Sequence, residues 1–494
     1  MPERHPSPSD KTPEPFDLCV IGGGSAGFGA ALAGARNGLR VLLVEKGPVL
    51  GGTAVSAGVS TWEPGVGGNG FARELFHRLR QIPGAAGVWS LGRHCAWTPE
   101  GFPGGECLVD PARDYDATQR RHGTQGYGGA PDTLREQWHG VVFDPAAYAK
   151  VLEELFLEHP GARLWKRSEC LGVTADAASG RVHTLRIFSE GQEKAVHAQT
   201  FVDASGNAVL CGLAGCERLI GSDGRDAFGE APAGETADPR AVNAVTLVYR
   251  VTPRPQPPAA PETTQPCWFA PKWPVAHIVQ SPGGDLAINM LPTMEGSEYL
   301  DFLGRGDDGA TLARAECERR VQGHWRELQH RYPEFRAYDF SGCAPELGVR
   351  ETYRVRCEFM LTLHDIRAGL SSQRHPDIIA IADHPLDLHG KEAKSSPELK
   401  EPYGIPFRSL IPKGWRNLLV AGRCAGFSHI AASSCRLSRT MMDLGHAAGL
   451  AAALALELGC DAAAVPPALL RTRLQAQGAD LCNTHPSSPT RSPS

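Results

Sequence analysis

One short segment near the start of the chain constrains the fold more than any other. Gly22-Gly23-Gly24-Ser25-Ala26-Gly27 lies directly between a β-rich apolar run, Asp17 to Ile21, and an Ala-rich stretch from Ser25 to Asn37. Glycines 22, 24 and 27 fit the spacing GxGxxG. In that arrangement the first glycine permits a tight turn, the second lets backbone approach a pyrophosphate, and the third allows a helix to pack closely on a strand. The helix N-terminus adds amide donors and a positive dipole for the phosphates. A second apolar run, Val41 to Val44, ends at Glu45, 23 residues after Gly22. An acidic side chain there accepts hydrogen bonds from ribose hydroxyls and repels a 2′-phosphate. The whole is a strand-helix-strand unit of dinucleotide-binding type, with Gly22, Gly24, Ser25, Ala26, Gly27 and Glu45 as its contact residues.

Composition narrows the field of partners. The 494 residues carry 50 Lys plus Arg against 55 Asp plus Glu, a net charge of -5, with no block of one sign, so a nucleic acid partner is not expected. Both ends, residues 1–15 and 483–494, are Pro/Ser-rich and expected to be disordered, because they bury too little apolar surface to offset ordering. The N-terminus lacks the apolar core of a secretory signal, and no window reaches the roughly 18 apolar residues of a membrane span, so a soluble, cytoplasmic protein is expected. The 14 cysteines are scattered without a CxxC, which argues for buried thiols and against structural zinc or an iron-sulfur cluster.

Three stretches read as one sheet domain: 16–66, 140–220 and 403–482. Residues 67–139 read as an irregular insertion, and 221–402 as a substrate or cap domain interrupted by Pro-rich and polar connections. The expected class is α/β, with a discontinuous Rossmann-type dinucleotide domain and an inserted α+β substrate domain.

The sequence after Glu45 selects between dinucleotides. KGPVLGGTA, Lys46 to Ala54, resembles the second glycine segment of glutathione-reductase-like flavoproteins, which places Lys46, Gly52 and Thr53 beside FAD. FVDASGNAVLCGLAG (201–215) and NLLVAGRCAGFSHIAASSCRLSRTMMDLGHAAGLAAALAL extend the likeness. The chain resembles the FAD-dependent oxidoreductases related to the flavin subunits of fumarate reductase and heterodisulfide reductase. That resemblance implies non-covalent FAD, since no His matches the covalent attachment site of succinate dehydrogenases. It assigns Ala204, Ser205 and Gly206 to the adenosine half and Val173 to the adenine edge. It assigns Gly422 and Arg423 to the ribityl and phosphate region, and Thr440, Met441 and Met442 to a helix start facing the flavin ring. Gly445 and Gly449, on one helical face, are expected to allow close packing on the sheet.

The same likeness supplies candidates for chemistry. Glu346–Thr352 resembles a GxRE motif, Asp383–His389 a DxH motif, and YGIPFRSLIP a segment in which Phe407 replaces the family's frequent Tyr. Arg350 and Arg408 are either clamps for an anionic substrate group or buried ion pairs, Arg350 with Glu351. His389 is either a general acid/base or a satisfied turn histidine, and Tyr403 and His429 are weaker proton donors. Cys424 and Cys435 flank the flavin loop, as a redox pair or as unlinked thiols. The resulting expectation is hydride or electron-pair transfer between a small organic substrate and FAD, with an unidentified second redox partner. An electron-transfer subunit and a flavin binder without turnover stand as alternatives.

Overall fold

The computed structural model describes residues 16–92, 104–119, 131–230, 234–255, 275–389 and 399–482, so both tails expected to be disordered lie outside the described residues. Five parallel strands form the first sheet: β1 (Phe16–Ile21), β2 (Val41–Val44), β3 (Ala162–Trp165), β4 (Ala198–Asp203) and β5 (Leu418–Val420). Their order is β5-β4-β1-β2-β3. Strands 1, 2 and 5 are nearly continuous runs of buried aliphatics, as a sheet covered on both faces requires. The order reverses direction between β1 and β4, and the glycine turn leaves the carboxyl end of β1 at that point. Such a switch point opens a crevice for a ligand.

Helix α1 (Ser25–Arg36) joins β1 to β2, and α2 (Ser438–Leu458) lies against it. A Cβ at Gly29 would stand 2.3 Å from the Met442 carbonyl oxygen, one at Gly445 1.9 Å from that of Ala26, and one at Gly449 2.1 Å from that of Ala30. The glycines of α2 thus pack on α1 and not on the sheet, because two helices on one face of the sheet meet each other before either can sink further. By length and composition α2 could cross a membrane, yet Arg439 to Ala455 are buried inside the chain.

The second sheet is mixed and has eight strands among the described residues. In spatial order they are Tyr338–Cys343, Val248–Pro253, Leu286–Leu291, Val275–Gln280, Gly104–Val109, Ala86–Leu91, His139–Phe143 and Thr61–Trp62. Within 67–139 the described residues therefore carry regular structure, including the helix Phe71–Arg80, and share one sheet with the segment expected to be a separate cap. The join is the parallel pairing of Val275–Gln280 with Gly104–Val109. Tyr249, Val251, Ile278, Ile288 and Met290 face the helix Gly309–Arg331 through its Ala313, Cys317, Val321, Trp325 and Leu328. Strand alternation sends the intervening residues to the opposite face.

Candidate active site

A cavity of about 1010 Å³ lies between the carboxyl end of the parallel sheet and the face of the mixed sheet turned away from the helix Gly309–Arg331. At one end the glycine turn forms its wall. Gly22 has φ +99, and a Cβ on it would sit 2.5 Å from the Ala204 carbonyl oxygen. A Cβ at Gly27 would sit 1.7 Å from the Gly22 carbonyl oxygen, so this glycine is demanded by packing and lies behind the cavity wall. Gly24 differs: its backbone is ordinary extended, at φ -71 and ψ -171, and the nearest atom to a Cβ there is Gly52 Cα at 3.9 Å. A side chain at Gly24 would enter the cavity, where a pyrophosphate has to run, and this cradle fits FAD.

Glu45 lines the same end and is tied to the backbone, Oε2 accepting from Gly23 N at 2.6 Å and Oε1 from Gly47 N at 2.5 Å. Burial raises its pKa, while these amide donors act in the opposite direction. Lys46 lines the cavity with its ammonium turned outward to Glu169 at 2.7 Å. Gly52 and Thr53 complete the turn opposite Gly24. Ser205 accepts from Val209 N and donates to Asp203 Oδ1 at 2.7 Å, shaping the loop after β4. Arg423, following β5, donates to the Gly206 carbonyl oxygen and to Asn207 Oδ1, both at 2.9 Å, which fastens the two strand ends together beside Gly422. Helix α2 presents its first turn, Ser438 to Met441, without a side-chain cap. Its amide dipoles thus face the cavity and favour negative charge there.

Besides Gly27, two of the residues assigned to cofactor lie off the cavity. Met442 is fully buried, with its backbone against Gly29 of α1, because it sits on the opposite side of α2 from Thr440. Val173 pairs with Leu185 inside the antiparallel meander 169–196 and does not reach the cavity.

The second end of the cavity holds Arg350, His389, Asp387 and Arg436. His389 Nε2 donates to Asp387 Oδ1 at 2.8 Å, and Arg436 pairs with the other oxygen of the same carboxylate. Burial acts to raise the Asp387 pKa, but Arg436 and His389 hold it well below the carboxylate range. An ionised Asp387 requires the proton on His389 Nε2, leaving Nδ1 as the basic nitrogen. Burial, then the Arg350 charge, lower the His389 pKa, so the imidazole is neutral at neutral pH. Arg350 donates to the Ala244 carbonyl oxygen at 3.0 Å, and burial followed by the charge of Arg436 brings its pKa to about 9.

The remaining catalytic candidates belong to the framework. Arg408 forms two hydrogen bonds to buried Asp377, at 2.9 and 3.1 Å, and lies over the Phe359 ring. Tyr403 is fully buried, its hydroxyl 2.6 Å from Ser434 Oγ. Glu351 pairs with His429 Nδ1 at 2.8 Å and with Arg354, not with Arg350, so His429 is a buried structural partner. Cys424 and Cys435 are unlinked; burial pushes the Cys424 thiol up to about 12 and the Cys435 thiol higher, and Cys435 faces Tyr403. Among the described residues no three His, Cys, Asp or Glu side chains are grouped to hold a metal. From the sequence, no role was assigned to Asp387 or Arg436. Asp387 lies inside the DxH-like segment and was the one within reach, two residues before His389.

A family profile described as "FAD dependent oxidoreductase" matches residues 17–474. Among curated proteins, mitochondrial dihydrolipoyl dehydrogenase of Schizosaccharomyces pombe is 54% identical over 43 residues, 9% of this chain and 8% of its own. The 3-oxosteroid 1-dehydrogenase of Mycobacterium tuberculosis is 43% identical over 53 residues, 11% of this chain and 9% of its own. The chain thus matches less than a tenth of either relative. Among solved structures, a geranylgeranyl bacteriochlorophyll reductase-like protein of Thermoplasma acidophilum covers 95% of this chain and 93% of its own at 12% identity and TM-score 0.45. The p-nitrophenol 4-monooxygenase PnpA of Pseudomonas putida covers 94% and 83% at 12% identity and TM-score 0.41.

Proposed function

The chain belongs to the FAD dependent oxidoreductase family, and from that membership we propose an enzyme that moves a hydride or electron pair between a small organic substrate and non-covalently held FAD. The observation that carries this reading is the continuity of one cavity from Gly24 and Glu45 to Arg350 and His389. An electron-transfer subunit would need an apolar docking edge and no polar pocket, whereas here four charged or titratable side chains meet inside. FAD when bound supplies a two-electron carrier.

The protein's own residues do the rest. Gly22, Gly24 and Gly52 leave room for the pyrophosphate, Glu45 offers its remaining lone pairs to ribose hydroxyls, and the first turn of α2 places amide dipoles where negative charge is favoured. Arg350 offers a fixed guanidinium to a substrate oxygen. His389 takes or returns a proton at Nδ1, held in one tautomer by Asp387, which Arg436 keeps ionised. His389 and Arg350 are the catalytic residues in this reading, and Asp387 positions His389.

The test is the purified protein's visible spectrum followed by anaerobic titration with alcohols, hydroxy acids and saturated carboxylic acids. A yellow protein bleached by one class supports the reading. A protein that stays colourless after reconstitution with FAD overturns it.

A further inference from the structure

Arg350 and His389 are held by one short stretch of buried chain. The Ala244 carbonyl oxygen accepts from Arg350 Nη1 at 3.0 Å, and Ala244 N donates to the His389 carbonyl oxygen at 3.4 Å. Asn243 Oδ1 accepts from His389 N at 2.8 Å, and Asn243 N donates to Glu351 Oε2 at 3.1 Å. Asn243 and Ala244 thus fix the two catalytic residues relative to each other. One edge of the guanidinium is left over. Nη1 is spent on Ala244, whereas Nε and Nη2 have neither a hydrogen-bond partner nor a carboxylate within ion-pair distance among the described residues. The neighbouring acids are engaged, Asp387 by His389 and Arg436, Glu351 by His429 and Arg354. Arg350 is half-buried and lines the cavity, and neither free nitrogen is sealed from it, so this edge is open to a ligand. A guanidinium taken out of bulk water without a counter-charge is costly, and an anion offsets that cost. Two parallel N–H donors match the two oxygens of a carboxylate. A phosphate group, with about 1.5 to 2 negative charges, would exceed this one cation and be repelled by Asp387, whose charge reaches Arg350.

We propose that the Nε–Nη2 edge of Arg350 binds a carboxylate of the substrate, and that the same carboxylate readies His389 to take a proton. The inference rests on the oxidoreductase reading and adds the substrate class to it, an ionised carboxylic acid. The link to His389 follows from the charges around the imidazole. Arg350 reaches it from the segment Glu346–Thr352, Arg436 from the loop after the helix His429–Ser434, and Asp387 from its own segment; His384 acts on Asp387. The two arginines oppose protonation, Arg350 more than Arg436, and Asp387 favours it. A carboxylate on Arg350 cancels the larger opposing charge, so the ligand draws a proton to Nδ1, the nitrogen that Asp387 leaves basic.

The protein, reconstituted with FAD, is titrated by calorimetry with propionate, with its neutral isostere propionamide and with inorganic phosphate. At about pH 8 propionate should bind at least about tenfold more tightly than either, since its contacts are charge-assisted and its charge matches one guanidinium. Arg350→Gln should weaken propionate at least about tenfold with FAD content unchanged; where that variant fails to fold, Arg350→Lys decides, because it keeps the charge without the fork and should still weaken propionate severalfold. Repeating the propionate titration from about pH 6 to 8 in buffers of different ionisation enthalpy counts protons. Binding should take up a fraction of a proton that grows towards the acid end, and His389→Gln should bind propionate without that uptake. Absent propionate binding, equal affinity for propionamide or phosphate, or unchanged affinity in the deciding Arg350 variant overturns the carboxylate site. Uptake missing in the wild type, or persisting in His389→Gln, overturns the link to His389. A wild type that takes propionate and stays colourless with FAD overturns the oxidoreductase reading instead, so the failures are distinct.

Discussion

The two ends of the cavity are built on opposite principles. At the dinucleotide end the wall is mostly backbone: Gly22, Gly24, Gly52 and Gly422 contribute no side chain, and the close approach of chain segments does the shaping. At the substrate end the wall is side chain: alternate residues of paired strands contribute to it, and a half-buried charge cluster closes it. A backbone wall tolerates no change at a few positions and is indifferent at the rest. A side-chain wall can be altered residue by residue, which lets one cofactor frame serve many substrates.

The largest effect should separate two glycines only three positions apart. Gly27→Val drives a side chain into the Gly22 carbonyl and should destabilise by at least ~3 kcal/mol, leaving no folded protein by circular dichroism. Gly24→Val should fold with a near-normal melting temperature and lose FAD, seen as a colourless but cooperative unfolder. If both variants behave alike, the distinction between packing glycine and cradle glycine is wrong.

Next in size is acid. Burial lowers His324, behind the mixed sheet, to about 3, and His446, at α2, to about 4, from 6.5. Folded pKa values below the unfolded one mean that their stabilisation is complete above pH 6.5 and lost as pH falls towards 4 and 3. Melting temperatures recorded across that window should fall steadily, and His446→Gln should flatten the part between 6.5 and 4.

Asp387→Asn addresses the charge cluster. Asp387 raises the His389 pKa against burial and Arg350, so its removal should shift the acid limb of flavin reduction to lower pH and cut the plateau rate about tenfold or more. An unmoved limb would detach Asp387 from His389. Glu45→Ala removes the acceptor of two backbone amides and should cost about 1–3 kcal/mol, shared between melting temperature and FAD affinity. The smallest change is Arg408→Ala, about 1 kcal/mol in stability and none in reduction rate. Arg350→Ala should show the converse, normal melting and slowed bleaching.

The backbone end was legible because its requirements are local. Gly22 to Gly27, Glu45 and the Gly422-Arg423 strand end each write their constraint within a few consecutive residues, and the α/β class follows from them. The cavity wall on the mixed sheet was not legible. Val275–Gln280 pairs with Gly104–Val109 across a long intervening stretch, and nothing in either run specifies the partner or the register. Trp62, Trp89, His277 and Asn289 come to line one cavity only once four segments lie side by side. For Arg408, open between a clamp and an ion pair, and for Tyr403 the reason is related. Their partners, Asp377 and Ser434, are each 31 residues away, so nothing in the local motif showed that either side chain is engaged.

The contact between α1 and α2 carries a consequence for biosynthesis. Strands β1 and β2 and helix α1 leave the ribosome among the first ordered parts, whereas β5, Arg423 and α2 emerge among the last. Until then the sheet lacks an outer strand, α1 lacks its cover, and the cradle lacks the side bearing Gly422 and Thr440. A nascent chain can assemble the mixed sheet while its nucleotide half is still open. Tight cofactor capture is therefore a late event, and bound FAD marks a chain whose translation has run through α2, so a pool of truncated or stalled products should separate from finished protein by colour alone.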